Sequence, residues 1–403
     1  MADVSSSRSP FVRVLAVLVI GAASCGDIRP TVTAPSAATN PPPPPASPSP
    51  NPTTGTVAGV EAHALGTQRG EWAFVLKDVP PPAGSGEARE VWAVPLAGGT
   101  PVLATSYAPF FSPINTVGAV SDVMSRQLSP DGRTLLVAAS IASTPSEFGI
   151  VSVDLATGSV RRVARDPLYL DIEPAWSPDG LRFAFARVQG SDTRLGRELW
   201  IANADGSSPR VVVRAGAGML YGFTPDGRWL CYSTVKYTCL ELGTGTTAEL
   251  GSTPLARIIP GLWRQGVPAF AGSFFDGSRY RVYAADAPAA PPRVIADVGC
   301  TEVRWRPQSD DLLCRTDSAL TLIGQLGRST RNLATKPVRA AEWRSSDEIV
   351  AIFADSLFAP NPPAPRPASS LAILGLNGAE RVIFKPASSL AFGLENFALY
   401  DYH

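Results

Sequence analysis

Short apolar runs joined by tight turns recur along the chain. Three copies are closely similar: residues 128–138 read LSPDGRTLLVA, residues 176–186 read WSPDGLRFAFA and residues 223–233 read FTPDGRWLCYS. Each copy predicts two strands joined by a turn, because proline presets φ, aspartate bonds to neighbouring backbone and glycine accepts positive φ. Degenerate copies begin at three tryptophans, Trp263, Trp305 and Trp343. The pattern therefore indicates repeated β-hairpins.

The spacing of these copies indicates how the hairpins are combined. Their first residues lie 48, 47, 40, 42 and 38 residues apart. A period of 40 to 50 residues with short alternating strands is typical of β-propeller blades. The clearest repeat predicts four strands, named A to D, at 171–176, 181–187, 198–202 and 209–214. One face of each strand is apolar, so each blade must pack against its neighbours.

The same pattern divides the chain into seven blades, whereas six or eight would follow from a different division of blade I or blade V. Strands B, C and D of blade I are predicted at 71–77, 90–96 and 101–106. Strands C and D of the other blades are predicted at 149–154 and 159–164 (II), 237–242 and 246–250 (IV), 279–284 and 292–296 (V), 319–323 and 330–334 (VI), and 370–374 and 380–384 (VII). The predicted fold class is all-β, a single propeller.

Blade I has no candidate for strand A on its N-terminal side. Residues 395–401, ENFALYD, resemble strand A of blade III. We therefore expect this C-terminal strand to complete blade I and close the ring, which removes two exposed sheet edges. The alternative is that these residues form a frayed tail.

The first 24 residues are predicted to be a signal peptide. Arg8 and Arg13 precede an apolar run, residues 14–23, that is too short to span a bilayer. The run leads into Ala22-Ala23-Ser24-Cys25, which resembles a bacterial lipobox although Ala22 replaces the usual leucine. Cys25 is the predicted lipid attachment site, and the alternative is an ordinary secretion signal. Because Gly26 and not aspartate follows the cysteine, we expect retention at the outer membrane.

Residues 25–58 are predicted to form a tether and residues 59–403 the propeller. The tether includes PPPPPASPSPNP at 41–52 and has no core-forming pattern. Proline-rich sequence of this kind favours extended conformations and acts as a semi-rigid spacer.

Two motifs of blade III carry a resemblance to a known family. WSPDG at 176–180 is followed by an apolar run, and LWIANADGS follows at 199–207. Together they resemble the TolB-type propeller repeat, a WD40-like or PD40-type repeat, and the resemblance covers about residues 59–403. TolB carries a separate α/β domain before its propeller, and residues 26–70 match none. The resemblance implies a propeller that binds protein partners in the periplasm.

Few residue types suited to catalysis are present. The chain has two histidines, His63 and His403, and lacks the G-x-S-x-G motif of serine hydrolases. No metal-ligand spacing is recognisable. We therefore predict no catalytic residue, no metal site and no cofactor. The 35 basic and 35 acidic residues balance and form no basic stripe, which argues against a nucleic-acid partner.

The repeated turn residues have two interpretations. Their aspartates offer carboxylates for acid–base catalysis or for a calcium ion, but recurrence at one place in successive blades favours a structural role in the turn. The four tryptophans that begin repeats similarly favour packing between blades over ligand stacking. The turn residues assigned this structural role are Pro130, Asp131, Gly132, Pro178, Asp179, Gly180, Pro225, Asp226 and Gly227.

Four cysteines remain after Cys25. Cys231 and Cys239 are symmetric about residue 235, between strands B and C of blade IV, and Cys300 and Cys314 are symmetric about residue 307 in blade VI. Directly opposed antiparallel residues lie within disulfide distance, so we predict one bridge for each pair. The alternative is buried free thiols.

The predicted function is a non-enzymatic, lipid-anchored binding or scaffold module of the cell envelope, with a protein or cell-wall partner and a monomeric propeller. The alternative is a lactonase or glycan lyase that uses channel carboxylates and a calcium ion. The A–B and C–D turns share one face of the ring, here named the turn face, and the B–C loops share the other, the loop face. The loops at 78–89, 140–148, 188–197 and 355–369 vary most. We expect the partner to bind the loop face.

Overall fold

The structure is a computed structural model of the chain. It describes residues 57, 59–79, 88–108, 124–140, 148–189, 197–233, 236–252, 263–264, 267, 269–275, 278–355, 369–385 and 394–402. All of these belong to one compact unit. The predicted signal peptide, Cys25 and the tether up to residue 56 lie outside the described residues. Within the described part, no helix has the length and apolar character required to span a membrane.

The described elements are almost entirely strands. In chain order they are β1 (Val60–Ala62), β2 (Gly70–Val79), β3 (Ala88–Pro95), β4 (Val102–Tyr107), helix α1 (Met124–Gln127), β5 (Thr134–Ser140), β6 (Phe148–Asp154), β7 (Val160–Ala164), β8 (Tyr169–Trp176), β9 (Arg182–Gln189), β10 (Arg197–Asn203), β11 (Arg210–Ala217), β12 (Leu220–Phe223), β13 (Trp229–Ser233), β14 (Lys236–Glu241) and β15 (Thr247–Ser252). They continue with β16 (Phe270–Phe275), β17 (Tyr280–Ala285), β18 (Arg293–Ala296), β19 (Glu302–Trp305), β20 (Leu312–Arg315), β21 (Leu320–Gly324), a 3-10 turn (Gln325–Gly327), β22 (Ser329–Ala334), β23 (Val338–Trp343), β24 (Glu348–Ala354), β25 (Ser369–Gly375), β26 (Glu380–Phe384) and β27 (Leu394–Tyr402).

These strands form seven antiparallel sheets, which are the blades of a propeller. Blades III, IV, VI and VII each contain four consecutive strands. Blades II and V contain three, and a single bridge stands in for strand A, between Leu128 and Leu135 in blade II and between Trp263 and Phe270 in blade V. The predicted all-β fold and seven blades are confirmed, and the predicted strand limits agree to within three residues.

The apolar core lies between the blades. Phe74 of blade I clusters with Val151 of blade II, and Tyr237 of blade IV packs against Phe270 of blade V with 5.3 Å between ring centroids. Similar clusters occupy the other interfaces, including the one between blades VII and I. Each blade buries its apolar faces on its two neighbours, so the ring is stable only when it is complete.

The C-terminal strand completes blade I, as predicted. β27 pairs with β2 in an antiparallel register that runs from Gly70 opposite Tyr402 to Lys77 opposite Leu394. Its Ala398 is buried in the core shared by blades I and II, and Leu399 packs against the core shared by blades VII and I. The last strand of the chain therefore joins the first blade to both of its neighbours.

The N-terminal strand was not predicted. β1 pairs with β4 on the outer edge of blade I, so this sheet has five strands. After β1, the backbone N–H groups of Leu65 and Gly66 donate to Leu155 and Ala156 in blade II. Before it, Val57 is already buried in the core shared by blades I and II. Residue 57 and residues 59–66 thus form a strap that connects blade I to blade II along the outer edge of the ring.

The strap and blade II approach each other closely at two glycines that have positive φ, Gly59 in the strap and Gly158 in blade II. A Cβ at Gly59 would lie 2.6 Å from the carbonyl oxygen of Ser140, and a Cβ at Gly158 would lie 2.9 Å from the backbone nitrogen of Ala64. Both approaches are too close for any side chain. The strap therefore passes close to blade II only because these positions are glycine.

We predict that the strap, unlike the chain before it, contributes to stability. A chain that begins at residue 57 should unfold at the same urea concentration as one that begins at residue 26. A chain that begins at residue 67 loses the three pairs between β1 and β4 and four further backbone bonds, which at about 1 kcal/mol each costs roughly 7 kcal/mol. Equal urea midpoints for all three chains would contradict a contribution of the strap to the free energy of unfolding.

Candidate functional site

The repeated turn residues bond within their own turns. In blade III the backbone N–H of Gly180 donates to the Ser177 carbonyl at 2.9 Å, and the Ser177 hydroxyl donates to Asp179. The Asp179 carboxylate also accepts from the Leu181 N–H at 3.0 Å. Asp131 and Asp226 accept the equivalent bonds in blades II and IV. The three carboxylates lie in three separate turns and form no cluster.

Bonds to the ionised form give Asp179 a pH-dependent role. The Ser177 hydroxyl and the Leu181 N–H hold the pKa of Asp179 below its ordinary value. A lowered carboxyl pKa adds stability above the ordinary pKa, and this is lost as pH falls through the folded value. Because the carboxylate is half exposed, we expect Asp179→Ala to cost no more than about 1 kcal/mol at pH 6 and less at pH 2.5. Urea unfolding at both pH values measures this, and an equal cost at both would contradict it.

The tryptophans that begin repeats lie between blades. Trp343 is buried, and Trp263 and Trp305 are partly buried against apolar clusters that join neighbouring blades. Trp176 donates its indole N–H to the Gln127 carbonyl of the preceding blade at 2.9 Å. Trp176 also borders a cavity between blades II, III and IV.

Both predicted disulfides are present. Cys231 pairs directly with Cys239 across β13 and β14, as the symmetry about residue 235 predicts. Cys300 and Cys314 are also bridged, with 5.5 Å between their Cα atoms. The predicted opposition of Cys300 and Cys314 is wrong, however, because Val303 pairs with Cys314.

The cause of this difference is the position of the A–B turn, which is centred between residues 308 and 309 and not at residue 307, so that Trp305 pairs with Leu312 and Val303 with Cys314. Gln308 in the A–B turn has a φ of 55°. At the other end of β19, Thr301 and Glu302 both bond to Arg315, which places two residues opposite one. This bulge-like step brings Cys300, in the segment between β18 and β19, closer to Cys314.

Removing either bridge should reduce stability by a calculable amount. The bridges span 8 and 14 residues, for which loop closure in the unfolded chain predicts about 2.5 and 3 kcal/mol. We expect paired Cys→Ala variants to show these losses in urea unfolding, with the larger loss for Cys300 and Cys314. We also expect thiol titration of the unfolded mature wild type to find no free thiol among these four cysteines. Finding free thiols in the purified protein would contradict the pairing.

A buried ion pair lies at the loop-face end of blade III. Asp171 on β8 is fully buried, and its carboxylate accepts two bonds from the Arg187 guanidinium, at 2.7 and 2.9 Å. Arg187 lies 4.5 Å from the ring centroid of Trp200 and 3.3 Å from the carboxylate of Asp166. Burial raises the pKa of Asp171 against the attraction of Arg187. Burial alone would lower the pKa of Arg187, but its carboxylate partners raise it.

A second buried carboxylate, Glu173, connects blade III to blade IV. It accepts a bond from Arg197 on β10 at 2.6 Å and one from the backbone N–H of Leu220 on β12 at 2.8 Å. Glu173 has a φ of 55°, and the pairing register shifts between Ile172 and Ala175. This bulge turns the carboxylate out of its own sheet towards the next blade.

Blades VI and VII are connected in a similar way. Arg304 contacts Glu302 on the same strand and lies 2.9 Å from Glu342 on β23. Arg315 donates to Glu302 at 2.7 Å and to the Val338 carbonyl at 3.0 Å. The buried carboxylates on these inner strands therefore bond to guanidinium groups and to backbone.

A cavity of about 220 Å³ lies on the channel wall at the turn-face end of blades II, III and IV. Trp176, Tyr221 and Phe223 provide its aromatic surface, and Arg126 provides its cationic group. Burial raises the pKa of Tyr221 to about 12, so its hydroxyl is neutral at physiological pH. The cavity is also lined by Ser125, Leu128, Pro130, Ala175, Ser177, Pro178 and Gly222.

The histidines do not contribute to the described channel. His63 follows β1 on the outer edge of blade I, 3.5 Å from the carboxylate of Glu61, and His403 lies outside the described residues. Among the residues that the structure describes, no group of three metal-ligating side chains is close enough to hold an ion.

The four variable loops lie mostly outside the described residues, which exclude 80–87, 141–147, 190–196 and 356–368. Their ends are described. Each loop joins the second strand of a blade to the third, after β2, β5, β9 and β24. All four loops therefore start and end on the loop face.

Comparisons with known proteins give a likeness in fold. No protein-family model matches the chain, and no curated protein matches it. TolB from Acinetobacter baumannii is similar, with 13% identity over 81% of this chain and 82% of that chain and a TM-score of 0.42. An oligogalacturonate lyase from Vibrio parahaemolyticus shows 10% identity over 80% and 88%, with a TM-score of 0.46. An acylaminoacyl peptidase shows 12% identity over 82% of this chain and a TM-score of 0.49, and this chain spans 53% of it. These are likenesses in fold alone, at 10%, 12% and 13% identity.

Proposed function

We propose that the protein is a lipid-anchored, non-enzymatic binding module of the cell envelope, and that its loop face contacts a protein or cell-wall partner. The observation that carries the proposal is the placement of the four variable loops, whose ends all lie on one face of a closed ring. Varied loops on a rigid scaffold are where recognition is usually found.

The inner-strand carboxylates favour binding over catalysis. Asp171, Glu173 and Glu302 are buried, and each already accepts bonds from arginine. A lactonase or glycan lyase would use such carboxylates to bind a cation or to move a proton. Their bonds in this protein instead join strands and blades, so we assign them a structural role.

The proposal is tested by affinity capture from detergent-solubilised envelope, followed by mass spectrometry. We expect a defined partner that is retained through salt washes. A control capture uses the chain that begins at residue 57, which lacks Cys25 but keeps the ring, and it should retain the same partner. Recovery of no specific protein or wall fragment by either chain would contradict the proposal.

The anchor is tested separately by fractionation. Cys25→Ala should move the protein from the outer-membrane fraction to a soluble periplasmic or secreted form, because the acyl chains provide the membrane affinity. A variant that still sediments with membranes would contradict the lipid anchor without affecting the binding proposal.

A further inference from the structure

Charge differs between the inner and the outer strands of the ring. The chain as a whole has formal net charge zero. The inner strands β8, β12, β19, β23 and β27 carry six acidic residues and two basic ones, which are Asp171, Glu173, Glu302, Glu342, Glu395, Asp401, Arg304 and Arg339. The outer strands β7, β11, β15, β18, β22 and β26 carry seven arginines and two glutamates, which are Arg161, Arg162, Arg210, Arg214, Arg293, Arg331, Arg381, Glu249 and Glu380. The outer wall of the ring is therefore basic.

Some of the charges on the outer strands are paired locally. Each of the two glutamates bonds to a lysine, Lys236 or Lys336. Arg293 donates to both carboxylate oxygens of one aspartate, and Arg381 donates to a backbone carbonyl of blade I. The glutamates therefore leave the other outer-strand arginines without a carboxylate partner on these strands.

The outer strand of blade III carries two arginines of this kind. Arg210 and Arg214 on β11 are exposed, and neither guanidinium has a hydrogen bond or an ion pair with any residue that the structure describes. Arg161 lies on the neighbouring outer strand β7 and is close enough to Asp205 to interact with its charge. Three arginines and one aspartate thus give the outer edge of blades II and III an excess of positive charge.

Protection of a sheet edge does not by itself explain this choice of residue. Charged side chains of either sign keep an exposed edge strand from pairing with another chain. Arginine differs from the acidic alternatives because its planar guanidinium presents several donors that match the oxygens of a phosphate group. A surface of anionic phospholipids attracts each basic side chain that lies close to it. The bias towards arginine therefore fits a phosphate-bearing surface.

The strap selects one part of the outer wall. Val57 is buried in the core shared by blades I and II, and Gly59 lies against the carbonyl oxygen of Ser140 in blade II. Residues 26–56 connect this point to Cys25, the proposed lipid attachment site. The chain that leads to the anchor therefore joins the ring next to the basic edge of blades II and III.

We propose that the outer edge of blades II and III, with Arg161, Arg210 and Arg214, lies on the anionic phospholipid surface of the membrane that holds the anchor. The ring then stands edge-on, and its loop face stays open to a partner. The choice of this edge rests on the lipid anchor of the proposed function. The contact orients the ring, whereas the acyl chains hold it, because attraction to the surface falls off within about 8 Å at physiological salt. Cys25→Ala is therefore still expected in the soluble fraction.

The test is co-sedimentation of the unlipidated mature chain, residues 26–403, with vesicles. One set contains about 30% phosphatidylglycerol in phosphatidylcholine, and the other contains phosphatidylcholine alone. We expect binding to the anionic vesicles only, at about 50 mM salt, and its loss at about 500 mM salt. Arg210→Gln combined with Arg214→Gln should weaken this binding on the order of 25-fold, because each arginine near the surface contributes about fivefold.

A second double variant is the matched control. Arg328→Gln combined with Arg331→Gln removes the same charge from the outer side of blade VI, where both side chains are exposed and have no ion pair within the described part of the chain. It should weaken vesicle binding by less than about threefold, since blade VI lies away from the strap. Both double variants should keep the wild-type urea midpoint, which excludes unfolding as the cause of any loss.

Several results would overturn the proposal. They are no binding to anionic vesicles, equal binding to both vesicle compositions, and an equal loss in the two double variants. Binding to soluble dextran sulfate that depends on Arg210 and Arg214, without binding to vesicles, would assign this edge to an acidic polymer and would also overturn it. Because the tested chain carries no lipid, failure here leaves the lipid anchor and the loop-face proposal standing, and the fractionation and capture experiments test those separately.

Discussion

Removing residues 395–403 is expected to unfold the ring. The deletion takes away β27 and with it seven of the eight register pairs that this strand makes with β2, leaving only Lys77 opposite Leu394. At about 0.5–1.5 kcal/mol for each backbone bond, the loss is roughly 4–10 kcal/mol before any loss of packing. This is similar to the whole stability of an ordinary domain. We expect a fall in Tm of at least about 10 °C or the loss of soluble protein, measured by thermal unfolding.

A shorter deletion provides the matched control. Removing only residues 402 and 403 loses a single register pair, Gly70 opposite Tyr402, and should lower Tm by no more than a few degrees. Should the longer deletion unfold at the same temperature as the shorter one, β27 would not be the strand that closes the ring.

The second large effect is expected at the buried ion pair of blade III. Asp171→Ala leaves the Arg187 guanidinium largely buried without the carboxylate that accepts two of its bonds. Breaking such a pair on one side typically costs about 3–5 kcal/mol, and we expect the lower part of this range because Asp166 still lies 3.3 Å from Arg187. For a propeller of about 345 residues this corresponds to a Tm lower by roughly 4–7 °C. Glu249→Ala removes an exposed partner of Lys236 and is the control, with an expected cost below about 1 kcal/mol.

Replacing both members of the pair distinguishes loss of attraction from burial of an unpaired charge. Asp171→Leu combined with Arg187→Met should recover most of the stability lost in Asp171→Ala, because no charge is then left unpaired in the core. Urea unfolding of the single and double variants measures the coupling. A double variant less stable than Asp171→Ala would show that the pair itself, and not the unpaired charge, dominates.

The blades were predictable because the residues that define each strand and its turn lie next to one another in the sequence. In blades II, III and IV the proline, aspartate and glycine of the A–B turn fix where one strand ends and the next begins. Cys231 and Cys239 are close enough in sequence for one hairpin register to bring them together. The closing strand was also predictable, because blade I lacks strand A and residues 395–401 resemble one.

Features that depend on irregular backbone were missed or misplaced. The predicted opposition of Cys300 and Cys314 was wrong because the A–B turn of blade VI is centred between residues 308 and 309, and no proline-aspartate-glycine motif marks that turn. β1 has three residues and shows no alternating apolar pattern of useful length, so only its contacts with β4 and blade II identify it.

The candidate sites also include one feature that has a local signal in the sequence and one that has none. Asp171 and Glu173 interrupt an otherwise apolar strand A, and this interruption was a usable signal for a buried polar network. The cavity had no such signal, because Arg126, Trp176 and Phe223 belong to three different blades and only the closed ring brings them together.

The loop face can be tested most directly by measuring partner affinity after loop replacement. The parts of the four loops that lie between the described strand ends, 80–87, 141–147, 190–196 and 356–368, are replaced in turn by a short Gly-Ser turn, and Kd for the captured partner is measured. A shortened C–D turn on the turn face, at 286–292, serves as the control. We predict that at least one loop replacement weakens binding tenfold or more while the control keeps the wild-type Kd. Wild-type affinity in all four loop variants would contradict recognition by the loop face.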